Sequence, residues 1–303
     1  MKLNKRSILF AAVILLITTL IQCGVYVTDY YRADRDAITA FQQHQTVTKQ
    51  VLSDNTIAYV PHDAKQGIIF YPGGKVDTAA YEPLASSLSE HNIAVFLVEM
   101  PFHLAVLDAD AADGIHDQYS EISSWYMAGH SLGGTMAAYY LKEHHESFEG
   151  LILLASYSTY DLSLTQLNVL SIAGSEDQVL SWDQYENNKI NLPDTMTEII
   201  LEGGNHAQFG MYGPQSGDGQ ASITNENQIE STVQFILNHI KKEAVKNFQR
   251  ITEFTFEHPL MRENYMRRKD EYMMMRDIER MLMDLTNFLE EDINGNNLAT
   301  ENQ

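Results

Sequence analysis

The chain has 303 residues, 44% of them hydrophobic, one cysteine and a formal net charge of −21 at pH 7. That length holds one large domain with appendages. The lone Cys23 excludes an intramolecular disulfide and argues against a cysteine-based metal site, so neither metal nor cofactor is expected. The charge is concentrated, with 28 acidic against 7 basic side chains over residues 29–240 and 13 against 10 over residues 241–303; such an acidic body argues against nucleic acid as a partner and disfavours docking on anionic lipid.

Residues 1–28 read as a membrane segment. Ser7 to Val27 is 21 residues without a charge, which as a helix spans about 30 Å, one hydrocarbon core. Lys2, Lys5 and Arg6 precede it and Asp29 follows it. The positive-inside rule then keeps the N-terminus in the cytosol and sends the rest outside, as a single-pass membrane protein with an extracytoplasmic body. A cleaved signal peptide would export the body too, but no small-x-small site ends the run. Lipidation at Cys23 is a third route, although Gln22 stands where a small residue is expected. Residues 29–50 are polar, with Tyr30, Tyr31 and two arginines, and read as a linker or membrane-proximal helix.

From residue 51 to 245, strand-like and helix-like runs alternate. Strands are predicted at Thr56–Val60, Gly67–Tyr71, Ile93–Val98, Trp125–Ala128, Leu151–Leu154, Val169–Ile172 and Glu198–Leu201. Helices are predicted at Ala79–Glu90, Gly133–Glu143 and Asn225–Ile240. Short β-rich runs separated by helices imply parallel strands with crossover helices, a three-layer α/β domain.

Chemistry gathers at the ends of these strands. Ile68-Ile69-Phe70-Tyr71 runs into Pro72-Gly73-Gly74-Lys75, a loop that can offer a backbone N–H to an oxyanion from Gly74 or Lys75. Trp125-Tyr126-Met127-Ala128 leads into Gly129-His130-Ser131-Leu132-Gly133, a G-x-S-x-G followed by the Ala-rich stretch Thr135–Leu141. Strand, turn and helix in that order are what a nucleophile elbow needs. The glycines leave room for the turn, and the helix N-terminus favours a developing negative charge. Ser131 is the candidate nucleophile and the Leu132 N–H the other oxyanion donor. A hydroxyl is a weak nucleophile and needs a base, which in this arrangement follows an acid in the chain. Val169–Gly174 ends in Ser175-Glu176-Asp177, which makes Asp177 the candidate acid with Glu176 as runner-up. Ile199-Ile200-Leu201 ends in Glu202-Gly203-Gly204-Asn205-His206. Of the 11 histidines, only His206 follows the acid, a strand and a pair of glycines, so it is the candidate base. His103 and His130 lie near the expected site and are candidates for contact with substrate. Tyr212, Gln215 and Asp218 either shape a pocket rim or hold the base's loop.

The runs Tyr71-Pro72-Gly73-Gly74-Lys75-Val76-Asp77, Glu99-Met100-Pro101-Phe102, Gly129-His130-Ser131-Leu132-Gly133-Gly134 and Asn205–Gly213 resemble the bacterial α/β-hydrolase family that groups near dienelactone-hydrolase-like proteins. The resemblance covers about residues 50–240. It implies the α/β-hydrolase fold, a mostly parallel sheet with helices on both faces, and a Ser-His-Asp triad. Dienelactone hydrolases use a cysteine nucleophile; Ser131 stands in its place here.

Leu154 to Val169 is too short for a large helical lid. Residues 103–124, with Asp108, Asp110, Asp113, Asp117 and Glu121, are either an acidic cover suited to a small neutral or cationic substrate or a solvated loop. Residues 246–303 read as an accessory tail. Met275, Ile278, Leu282, Leu285 and Leu289 fall on one face of a helix from roughly Met261 to Glu290, which would pair with a second copy of the chain, pack back on the body, or be a fused segment with no role. The function expected from these features is an exported, membrane-tethered serine hydrolase acting on a small-molecule carboxylic ester. An amidase or thioesterase with the same triad, or an idle binding module on the same fold, are the alternatives.

Overall fold

The computed structural model describes residues 5–43 and 45–257; the expected tail helix lies outside them. The helices are α1 (Lys5–Thr28), α2 (Arg35–Phe41), α3 (Glu82–Ser89), α4 (Ile115–Gln118), α5 (Leu132–His144), α6 (Trp182–Asn188) and α7 (Asn225–Glu257). The strands are β1 (Lys49–Val51), β2 (Ile57–Tyr59), β3 (Gln66–Tyr71), β4 (Ile93–Leu97), β5 (Ser124–His130), β6 (Gly150–Leu154), β7 (Asn168–Gly174) and β8 (Thr197–Leu201). The chain divides into two units, Met1–Leu237 and Asn238–Gln303, and every strand lies in the first.

All eight strands join one sheet in the order β1-β2-β4-β3-β5-β6-β7-β8. The six from β4 to β8 pair in parallel, and β1 and β2 add an antiparallel edge. The central strands are apolar on both faces: Ile68 to Tyr71, Ile93 to Leu97, Trp125 to His130 and Leu151 to Leu154 are all buried. That is the pattern of strands covered on both sides. From β3 the chain crosses one way, through α3 to β4, and from β5 it crosses the other way, through α5 to β6. Right-handed crossovers in opposite directions put α3 and α5 on opposite faces. The reversal lies at β3 and β5, where ligands bind in open α/β sheets, outside the carboxyl ends of the strands.

The expected linker is part of this body. Tyr31 bridges to Val76 in parallel. Asp34 caps α2 by accepting from the Ala37 N–H at 3.0 Å. Glu82, only 3% exposed, receives Lys49 Nζ at 2.9 Å and the Tyr59 hydroxyl at 2.8 Å, with Arg35 3.4 Å away. Among the described residues no helix is long and apolar enough to cross a membrane. In α1 the side chains are described at Phe10, from Ala12 to Tyr26 and at Thr28, and the large hydrophobic ones there are exposed.

Candidate active site

Ser131 sits between β5 and α5 with φ 52° and ψ −124°, a conformation that a side chain adopts only when its surroundings impose it. Those surroundings are packed backbone. A Cβ on Gly133 would overlap the carbonyl oxygens of Tyr71 and Pro72, and one on Gly129 would overlap the Gly133–Gly134 peptide. The Ser131 N–H donates to the Leu154 carbonyl at 2.9 Å, and Ser156 Oγ donates to the Ser131 carbonyl at 2.7 Å. The turn is therefore fixed to the neighbouring strand and to the loop after β3.

Asp177 and His206 come together from the ends of β7 and β8, with Nδ1 2.8 Å from Oδ2 and both side chains buried. The other carboxylate oxygen accepts the Val179 and Leu180 N–H groups at 2.9 and 2.7 Å. An acceptor at Nδ1 holds the proton there and leaves Nε2 as the free lone pair. Nε2 is buried and has no hydrogen-bond partner among the described residues, Ser131 included. Glu176, the runner-up for the acid, accepts from Ser175 Oγ at 3.3 Å and makes no bond to His206.

The loop that carries His206 is held from several sides. Its Gly204 carbonyl accepts the Glu176 N–H at 2.8 Å. Gln228, fully buried on α7, grips the Asn205 peptide with both ends of its amide, accepting from N–H at 3.0 Å and donating to C=O at 2.7 Å. Asp218 accepts the N–H groups of His206 at 3.3 Å, Ala207 at 2.9 Å, Gln178 at 3.3 Å and Gly219 at 2.8 Å. Asp218 thus holds the loop of His206. A cavity of about 400 Å³ beside this loop is lined by Asn205, Gln208, Gln215 and Asp218 among others, and Ser131 is not part of its wall.

In the loop after β3, the Gly73 N–H donates to the Tyr81 hydroxyl at 3.0 Å and the Lys75 N–H to the His103 carbonyl at 2.7 Å. Only the Gly74 N–H between them has no partner among the described residues, so of the two expected donors Lys75 is already engaged and Gly74 is not. A Cβ on Gly74 would lie 3.0 Å from Leu132 Cδ2, so the two residues face each other. Leu132 opens α5, and the first N–H groups of a helix have no intrahelical acceptor.

His130 is not where substrate contact requires it. Its ring is 0% exposed, takes a hydrogen bond at Nδ1 from the Tyr81 hydroxyl at 2.8 Å, and lies 4.6 Å from the His206 ring, centroid to centroid. Since the Tyr81 oxygen already accepts from Gly73, its own proton is free for Nδ1. Burial, with the neighbouring His206 ring, pushes the His130 pKa well below the usual histidine value, against a contact with the His206 backbone. The expectation of a substrate ligand overlooked that β5 is buried to its last residue. His103 is partly buried, has φ 57°, and its ring lies 4.1 Å from that of Tyr30. The sequence reading missed Tyr81 and Gln228. Tyr81 carried no signal beyond an ordinary aromatic in a helical run. Gln228 left one trace, a polar pair with Thr232 beside the apolar stripe Ile229, Val233 and Ile236.

A mostly parallel sheet that reverses at its centre, with a strand–turn–helix elbow at the reversal and paired acid and imidazole loops two and three strands further on, defines an α/β hydrolase. The chain belongs to the alpha/beta hydrolase family, whose sequence pattern matches residues 67–230, and it is a hydrolase. Similar solved structures include one described as a predicted CIB-like hydrolase from Thermoplasma acidophilum, with 15% identity and TM-score 0.47 over 64% of this chain and 99% of that one. A dienelactone hydrolase from Anabaena variabilis shares 13% identity at TM-score 0.47, over 64% and 98% of the two chains. Est1E from Butyrivibrio proteoclasticus shares 14% at TM-score 0.48, over 64% and 99%. No curated protein matches the chain.

Proposed function

We propose that the protein is an exported, membrane-tethered serine hydrolase that cleaves a carboxylic ester through an acyl-enzyme on Ser131. The observation that carries this reading is the buried Asp177–His206 pair, 2.8 Å apart, whose Nε2 is left without a partner among the described residues at the carboxyl end of the sheet, where the strained Ser131 sits. In the first step Ser131 Oγ adds to the carbonyl carbon while its proton passes to His206 Nε2. Asp177 stabilises the imidazolium and keeps its orientation without taking the proton. The oxyanion lies between the N–H groups of Gly74 and Leu132, with the N-terminus of α5 adding its dipole. Collapse of this intermediate breaks the ester C–O bond, and the leaving alkoxide takes the proton from Nε2. Water then repeats the sequence on the acyl-serine, returning Ser131 and releasing the acid. The support for tethering is α1, whose described large hydrophobic side chains, from Phe10 to Val25, are exposed; side chains of that kind belong in an apolar medium.

The full chain should be labelled covalently by a fluorophosphonate, and Ser131→Ala should abolish the labelling. Labelling that survives the substitution would place the nucleophile elsewhere.

A further inference from the structure

The loop after β4 turns three large apolar side chains into solvent: Phe102 is 60% exposed, Val106 56% and Leu107 55%. The loop around them is well held. Ala105 is buried, and the His103 carbonyl accepts the Lys75 N–H at 2.7 Å. Phe102 and His103 are both left-handed, with φ 53° and 57°, a backbone that side chains other than glycine seldom adopt. Phe102 therefore points outward because the fold imposes it. Apolar side chains grouped in this way on a soluble surface mark a site of association.

The end of α1 reaches the same place. Asp29 pairs with Lys75 Nζ at 3.0 Å, and that ammonium lies 4.5 Å from the centre of the Tyr26 ring. Tyr30 packs on His103 at 4.1 Å, with Arg32 4.8 Å from the Tyr30 ring. Tyrosines with lysine and arginine at the end of an apolar helix are the composition of a membrane–water boundary. The exposed loop thus stands beside the point where the apolar helix ends. It is also one hydrogen bond from the loop of Gly74, which faces Leu132.

We propose that Pro101–Leu107 dips Phe102, Val106 and Leu107 into the bilayer that holds α1, so that the mouth of the Ser131 site rests on the lipid surface and receives esters that partition into the membrane. This rests on reading α1 as an anchor and Ser131 as the nucleophile. Asp108 and Asp110, exposed just beyond the loop, and the net charge of −21 direct the docking to zwitterionic rather than anionic headgroups.

The test uses the full chain carrying Phe102→Trp, reconstituted in phosphatidylcholine vesicles with or without brominated acyl chains. Trp125 is buried and Trp182 half-buried, and the parent protein supplies their contribution. The chain should float with the vesicles, and the added tryptophan should lose about half its emission or more to bromine at acyl-chain depth. A chain that does not float overturns the anchor reading and this proposal with it. A chain that floats with its new tryptophan unquenched overturns this proposal alone. Neither readout needs catalysis, so the outcome is independent of whether Ser131 is the nucleophile. In a second arm, Phe102→Asp combined with Leu107→Asp should slow hydrolysis of a vesicle-dissolved ester by about tenfold and leave a water-soluble short ester unaffected. An equal loss on both substrates would refute the docking.

Discussion

The loops of His206 and Gly74 flank one serine but are held by different means. The His206 loop is gripped from within the body: Gln228 holds the Asn205 peptide, Asp218 accepts the His206 and Ala207 N–H groups, and the Glu176 N–H donates to the Gly204 carbonyl. The Gly74 loop takes its support from further away in the chain. The Tyr31 N–H donates to the Lys75 carbonyl at 2.7 Å, the Asp77 N–H donates to the Tyr31 carbonyl at 2.9 Å, and Lys75 Nζ reaches Asp29. On the proposed mechanism proton transfer needs a fixed imidazole, and of its supports Gln228 is fully buried and Asp218 half-buried. The segment that follows α1 reaches both sides: besides Lys75 and Asp77, it meets the stretch beyond His206, where the Asp34 N–H donates to the Met211 carbonyl at 2.9 Å and the Tyr31 ring lies 5.6 Å from that of Tyr212.

The comparison is broken most severely at Asp177. Asp177→Asn should lower kcat by about two to four orders of magnitude with little change in KM, because the imidazole loses both its tautomer control and its stabilised charged form. Glu176→Gln should cost less than about tenfold, since a carboxylate not bonded to the imidazole acts only through a screened field. Measuring kcat of both variants on one activated ester, with circular dichroism confirming the fold, decides between them. A crippled Glu176→Gln would move the acid by one residue.

A smaller effect is expected one step out. Asp218→Asn puts an amide where four N–H groups converge, so at least one donor loses its acceptor. The loop should loosen, lowering kcat by roughly ten- to a hundredfold with KM on a short ester nearly unchanged. Equal kcat in the variant and the parent would show that Gln228 and Asn205 suffice to hold the loop.

The smallest effect joins the two loops. Tyr81 accepts from Gly73 and donates to His130, whose ring touches that of His206. Burial depresses the His130 pKa, so the unfolded chain binds this proton first. The contribution to stability is therefore whole above the unfolded value near 6.5 and is lost as pH falls below it. His130→Asn should make the fall in stability between about pH 6.5 and 5 shallower by at most about 1.4 kcal/mol per pH unit. Urea unfolding across that range measures the slope, and an identical slope in the variant would mean that His130 is not the titrating group.

Most of the sheet was legible because its central strands are buried on both faces and read as unbroken apolar runs. The seven predicted strands correspond to β2 through β8. β1 was not legible, since Lys49-Gln50-Val51 is an exposed edge with no alternation. The helix predicted from Ala79 to Glu90 is divided: Thr78–Tyr81 forms a 3₁₀ turn, and Pro83 opens the first turn of α3, as proline prefers. In the site, the motifs around Ser131, Asp177 and His206 could be read because each is a local strand-to-turn pattern. Tyr81 and Gln228 could not, because each acts on a backbone group brought near only by the fold. Gln228 bonds a peptide 23 residues away in the chain, and no local pattern records such a pairing.

The crowding at Gly133 has a consequence for how such a protein changes over generations. Position 131 is held through its own backbone, the N–H on the Leu154 carbonyl and the carbonyl on Ser156 Oγ, while its side chain is bonded to none of the groups that shape the turn. Exchanging the hydroxyl for a thiol would disturb none of these contacts, whereas any side chain at position 133 would meet two carbonyl oxygens at once. Inheritance is thus permissive at position 131, the proposed nucleophile, and unforgiving two residues later. A lineage built on this elbow can trade one reactive atom for another in a single codon change while its glycines stay fixed.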